Sequence, residues 1–204
     1  MLPGLAKTIG DGFALMAREP GGKAQEMREA FLAYQKNYVI WVRGTVSAWA
    51  KQTSFAPAVS EPAALGGLDK LELVGNDAVE HRIVASRLAL RLLDIASWEL
   101  NDLRLRIQSL EEVPALHKQD IFRPEVLSQC LVEQWVQAGL SVPAWLKVQD
   151  AVQKYMSGQM LEIYHATNEF LIQQGVMVEI DLRPLVRRTP SVAPTSTMPL
   201  PGTE

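Results

Sequence analysis

Apolar side chains recur every three or four residues along most of this chain, the spacing that places them on one face of an α-helix. The longest such run extends from Asn76 to Leu110. Ile83, Val84, Leu88, Leu92, Ile95, Leu103 and Ile107 mark its stripe, Leu93, Trp98 and Leu100 widen it, and no Gly or Pro intervenes before Pro114. Asp77 and Glu80 stand three apart at its start, the spacing of a capping box in which each side chain satisfies a free N–H of the first turn. The pattern predicts a central helix near residues 77–110, a rod roughly 50 Å long at 1.5 Å per residue.

Two helices are predicted before it. Leu5, Ile9, Phe13 and Met16 keep helical phase over residues 3–18, although Gly4, Gly10 and Gly12 each weaken a helix by about 1 kcal/mol relative to Ala. Met27, Phe31, Tyr34, Tyr38, Trp41, Thr45 and Trp49 run down one face of a second helix over residues 23–52. The run Val39-Ile-Trp-Val has strand propensity, but its neighbours hold the 3.6-residue period, and Gly44 suggests a close contact with another helix. Pro20, Gly21 and Gly22 form the turn between the two. From Thr53 to Gly75, Pro57, Pro62, Gly66 and Gly67 break the pattern, leaving a long connection with one short extended piece at Leu71 and Leu73.

Beyond the break at Pro114, Pro124 opens a shorter helix, where its missing N–H costs nothing, and Gly139 can take the left-handed stop. Ser141 and Pro143 open the last helical region, through Val148, Val152, Tyr155, Met156, Leu161, Tyr164, Leu171 and Ile172, with Gly158 as a point where it splits in two. Val176 to Leu185 alternates in polarity and is expected to pack back as an extended tail. After Arg188, Pro190, Pro194, Pro199 and Pro201 among Ser and Thr describe a disordered tail. The fold class is therefore all-α, a bundle of about five or six helices. Residues 1–52 form an N-terminal hairpin, 53–75 a connection, 76–188 the main bundle, which either shares one core with the hairpin or is set apart from it by the connection, and 189–204 a disordered linker or tail.

Composition narrows the chemistry. With 48% hydrophobic residues in 204, a sizeable core is affordable, whereas a formal charge of -3 and a pI near 5.7 argue against nucleic acid as a partner. Cys130 is the sole cysteine, so an intramolecular disulfide and a cysteine zinc site are excluded, which suits a reducing cytoplasm. No window is apolar over enough residues to span a membrane.

Candidate site residues are few. His81, His117 and His165 are the histidines, and Glu162 with His165 makes one Glu-x-x-His pair; a carboxylate-bridged metal site in a bundle needs two. Arg82, Arg87, Arg91, Arg104 and Arg106 lie on the long helix, and Arg183, Arg187 and Arg188 near the end. Arg87, Arg91 and Arg104 are candidates for an anion or a partner; otherwise Arg87 and Arg91 pair with Asp94, and Arg106 with Glu99 or Asp102. Of the tryptophans, Trp41, Trp49, Trp98 and Trp135 are read as core. Trp145, in a first helical turn, is the one expected at an interface. No catalytic, cofactor-binding or metal-ligating residue is assigned.

Leu71-Glu-Leu-Val ahead of the acidic helix start, Phe122-Arg-Pro-Glu-Val-Leu, and Glu162-Ile-Tyr-His-Ala-Thr-Asn-Glu-Phe-Leu-Ile-Gln-Gln-Gly-Val together resemble the bacterial family of domain of unknown function 1631. The likeness runs from about Lys70 to Arg188, with residues 1–69 similar only in being helical and amphipathic. It implies a helical region within a longer chain and carries over no site residue. Large proteins of that family are sometimes labelled thymidine phosphorylase-like. The residues here lack a phosphate cradle, since Gly10-Asp-Gly12 does not stand between a strand and a helix. The expected function is a non-catalytic protein-interaction or regulatory domain of a larger bacterial cytoplasmic protein, with a protein partner or self-association. The rival is a sensor of a small anionic ligand such as a nucleotide, or an enzyme, with an arginine-lined pocket between helices.

Overall fold

A computed structural model describes residues 1–18, 24–52 and 76–180, and within them the chain is all α-helical, with no strand. The elements are α1 (Leu2–Met16), α2 (Ala24–Lys51), α3 (Asn76–Glu111), α4 (Pro124–Gln137) and α5 (Val142–Gln173). The predicted turn at 20–22, the 53–75 connection, the capping side chain of Asp77, Arg183, Arg187, Arg188 and the proline-rich tail lie outside what the structure describes.

Local chemistry sets the ends. Pro124 occupies the first position of α4, and Gly139, at φ 77°, reverses the chain so that Leu140 N–H donates to Trp135 O at 3.2 Å. Two residues on, Ser141 Oγ accepts from Ala144 N–H at 3.3 Å and starts α5. Gly175, at φ 80°, ends α5 in the same left-handed way, with Val176 N–H on Leu171 O at 2.9 Å. The β-branched run in α2 is helical, because Tyr34, Trp41 and Thr45 bury on one face only if the 3.6-residue period continues. Two expectations fail here. Gly158 does not split α5, whose hydrogen-bonded turns pass through it with Met156, Ser157 and Met160 buried around it. The segment after Gly175 packs back through Val176 but is turn and bend as far as Ile180, not extended, with Val178 exposed; the rest of the expected tail, to Leu185, lies outside the described residues.

The principal helix contacts close a ring, α1 to α2, α2 to α4, α4 to α3, α3 to α5 and α5 back to α1. One cluster of buried side chains runs through all five helices, from Leu2, Ile9 and Phe13 through Trp41, Leu92 and Leu103 to Trp135, Val152 and Tyr164. Its centre is aromatic. Trp135 of α4 meets Trp41 of α2 edge-on at 5.4 Å between ring centroids, Trp145 of α5 edge-on at 5.2 Å, and Tyr34 of α2 stacked at 5.8 Å. Four buried polar ends find carbonyls: Trp41 Nε1 donates to Leu131 O at 3.1 Å, Trp135 Nε1 to Ser141 O at 2.9 Å, Tyr34 Oη to Ala6 O at 2.7 Å and Tyr164 Oη to Phe122 O at 2.8 Å. Burial pushes both phenols, Tyr34 and Tyr164, above the usual tyrosine range.

Glycine placement gives a direct test of this packing. Gly44 does approach another helix, its α-carbon facing the Gln134 side chain of α4. A methyl at Gly4 would collide with the Tyr155 hydroxyl, which donates to Met1 O at 3.2 Å, whereas one at exposed, mid-helix Gly158 meets nothing within 4 Å. Gly158→Ala is therefore expected to stabilise the protein by about 0.5–1 kcal/mol and Gly4→Ala to destabilise it despite the same propensity gain. Thermal unfolding of the two variants should move the midpoint in opposite directions.

Candidate interaction surfaces

The buried side of α3 is set by Val84, Ala85, Leu88, Leu92, Ala96, Leu100, Leu103 and Ile107, which face α4 and α5. Trp98 stands two residues from both Ala96 and Leu100, a rotation of about 200° in each direction, and so points away from the core. It is 85% exposed. Ala85, Ala89 and Ala96 are buried on this side, while Ile83 and Ile95 lie off its centre and are part-exposed. Trp98 thus corrects the core assignment made from its apolar character. Trp145 corrects the opposite expectation: it is 2% exposed, because the turn at Gly139 folds the first turn of α5 onto Trp135.

The arginines divide. Arg87 and Arg91 are exposed on the same outward side of α3 as Trp98, and Arg91 Nη1 pairs with Asp94 Oδ2 at 3.1 Å, as the spacing predicts. Arg104 is half-buried and lies roughly 100–140° round the helix from them, so the three do not converge on one ligand. Arg106 is buried. Its Nη1 donates to Asn168 Oδ1 at 2.9 Å and lies 3.7 Å from Asp102 Oδ2, the predicted partner. Asn168 Nδ2 in turn donates to Glu99 O at 2.9 Å and to Glu99 Oε2 at 2.8 Å, and Glu99 Oε1 accepts from His165 Nδ1 at 2.9 Å. This chain of groups joins α3 to α5. Sequence spacing missed it because its links connect residues more than 60 apart; the signal was a polar Asn168 in phase with Tyr164 and Leu171 on the buried side of α5.

His165 is thereby held by Glu99, while Glu162 accepts from Gln159 at 3.1 Å, so the Glu-x-x-His pair converges on nothing. Among the described residues no group of three or more His, Cys, Asp or Glu could hold a metal ion. Cys130 is buried and its thiol is pushed up by desolvation, which makes it a poor nucleophile. No described helix is long and apolar enough to cross a membrane.

The Glu99 and His165 pair has a pH signature. Partial burial works to raise the Glu99 carboxyl, but hydrogen bonds from Asn168 and His165 and the nearby positive charges carry it below the usual carboxylate range; the Glu99 hydrogen bond and charge raise His165. A depressed carboxyl stabilises above its unfolded value, near 4.5, and loses this as pH falls. A raised imidazole stabilises below its unfolded value, near 6.5, and loses this as pH rises through the folded one. His165→Ala is accordingly expected to lower the urea midpoint at pH 5.5 more than at pH 8.5, and the difference should vanish in a Glu99→Gln background.

A second surface lies between α1 and α2, a groove of about 600 Å³ with an apolar floor of Ala6, Gly10, Ala14, Phe31, Tyr34 and Val42. Lys7, Asp11 and Arg43 stand along it, and Tyr38 and Val39 extend it outward, each about 40% exposed. Arg87, Arg91 and Arg104 line neither this groove nor the two smaller clefts beside the α4–α5 turn.

The sequence profile described as the N-terminal domain of protein of unknown function DUF1631 matches residues 4–175. The chain belongs to this family. The DUF1631 match begins in α1 and stops at the Gly175 turn, so it both reaches further forward and ends earlier than the expected likeness over 70–188. The forward reach has a structural reason, since Leu5, Ile9, Phe13 and Trp41 belong to the same buried cluster as Leu92 and Tyr164. No curated protein and no solved structure matches the chain.

Proposed function

We propose that this DUF1631 region is a protein-interaction and regulatory domain with no chemistry of its own, working within a bacterial cytoplasmic protein. The observation that carries the reading is Trp98, an almost fully exposed indole flanked on the outward side of α3 by Arg87 and Arg91. Tryptophan and arginine are the residues that most often dominate binding energy at interfaces, and a lone exposed tryptophan costs hydration that a partner would relieve. The reading takes residues 1–52 and 76–175 as one unit, because a single buried cluster spans all five helices. A photo-crosslinking side chain placed at position 98 in cells should capture protein, whereas the same group at exposed Glu169 should not. Absence of any protein adduct at position 98 would end the reading.

The groove between α1 and α2 favours a second reading, a sensor for a small anionic amphiphile, with the acyl part on the apolar floor and the anion at Lys7 and Arg43. A ligand at a hundredfold excess over its Kd adds about 2.7 kcal/mol to stability. A thermal shift with a medium-chain fatty acid, lost in Arg43→Gln, would support this.

A further inference from the structure

The outward side of α3 is not uniformly charged. Its cations, Arg87 and Arg91, come first, and Asp94 and Trp98 follow on the same side, with exposed Leu90 at one edge of this row and part-exposed Ile95 at the other. Such an order is complementary to its own reverse. Laid antiparallel about a two-fold axis between residues 92 and 93, two α3 helices bring Arg91 of one against the partner's Asp94 and Arg87 over the partner's Trp98. Each contact occurs twice, as an isologous interface requires. A parallel pairing would instead set arginine against arginine. The Arg91 and Asp94 side chains already paired within one helix are 52% and 70% exposed, so each keeps an open side for the second copy. An arginine over the face of an indole gains a cation–π contact that neither makes among the described residues.

Resting on the interaction reading above, we infer that the partner at this surface is a second copy of the chain, docked antiparallel along the outer face of α3. The contact runs from Arg87 to Trp98 on each helix, about 12 residues or about 18 Å. That is small beside a standard interface of about 1,600 Å², so the dimer is reversible and assembles in the micromolar range.

Sedimentation equilibrium of the 204-residue chain tests it. Wild type should dimerise. Trp98→Ala should weaken dimerisation by about a hundredfold and Arg91→Glu by about tenfold, with unchanged thermal midpoints, since both positions are exposed. The swap Arg91→Glu with Asp94→Arg should recover most of the affinity, because two-fold symmetry then reverses both partners at once. A chain monomeric at every concentration, or a dimer that neither single substitution weakens, overturns the inference. Crosslinks from position 98 separate the two failures: a different protein captured by a monomeric chain refutes the second copy and leaves the interaction reading standing, whereas no captured protein removes both.

Discussion

Trp135→Ala should lower the free energy of unfolding by about 4–5 kcal/mol, at the upper end of the range for removing a large aromatic from a core. Three losses combine there. The fully buried indole leaves a cavity at the junction of α2, α4 and α5. Its edge-on contacts with Trp41 and Trp145 and its stack on Tyr34 disappear, each worth about 0.5–1.5 kcal/mol beyond burial. Ser141 O also loses its indole donor beside the turn that starts α5. Against a typical total of about 5–15 kcal/mol, one substitution should remove a large part of the stability. Urea titration should show a midpoint shift with the slope preserved. Trp98→Ala is the matched control, expected within about 0.5 kcal/mol of wild type because its side chain faces solvent.

Asn168→Leu should cost about 3 kcal/mol, less from the asparagine's own bonds than from the groups it leaves behind. Arg106 is 5% exposed; without Asn168 Oδ1 its guanidinium keeps only Asp102 at 3.7 Å, and its Nε already lacks a protein partner. Glu99 loses both the donor to its carbonyl and one to its carboxylate. Removing the buried charge as well should reverse much of the damage, since Met at 106 needs no acceptor. The double variant Arg106→Met, Asn168→Leu should then be more stable than the sum of the single effects by about 2 kcal/mol. Simple additivity in that cycle would show that the two side chains act independently, contrary to the 2.9 Å bond between them.

The periodicity was enough to place all five described helices, because burying one face of a helix imposes a 3.6-residue repeat on the sequence itself. Pro124, Gly139, Ser141 and Gly175 were readable for a similar reason: each satisfies or reverses backbone within a few residues of its own position. Gly158 was misread because propensity alone counts a glycine against a helix, while buried Met156 and Met160 on either side hold this one in register. Arg104 could not be separated from Arg87 and Arg91 by composition, only by its angle around a helix whose neighbours were unknown.

The two tryptophans mark the boundary most clearly. Trp98 and Trp145 are each apolar residues in helical sequence, and intrinsic hydrophobicity ranks them alike. Which of them is core depended on where α4 and α5 pack against α3 and on the direction in which the Gly139 turn sends the first turn of α5. The sequence by itself determined the helices and most of their ends, since these follow from the local backbone and from the 3.6-residue repeat of apolar positions. Only the tertiary structure decided the common core of the five helices, their ring order, the Glu99–Asn168–Arg106 link and the outward side of α3. A helix stripe wider than one neighbour can cover leaves its exposed edge to be chosen by the neighbours' positions, and those are fixed by contacts between residues far apart in the chain.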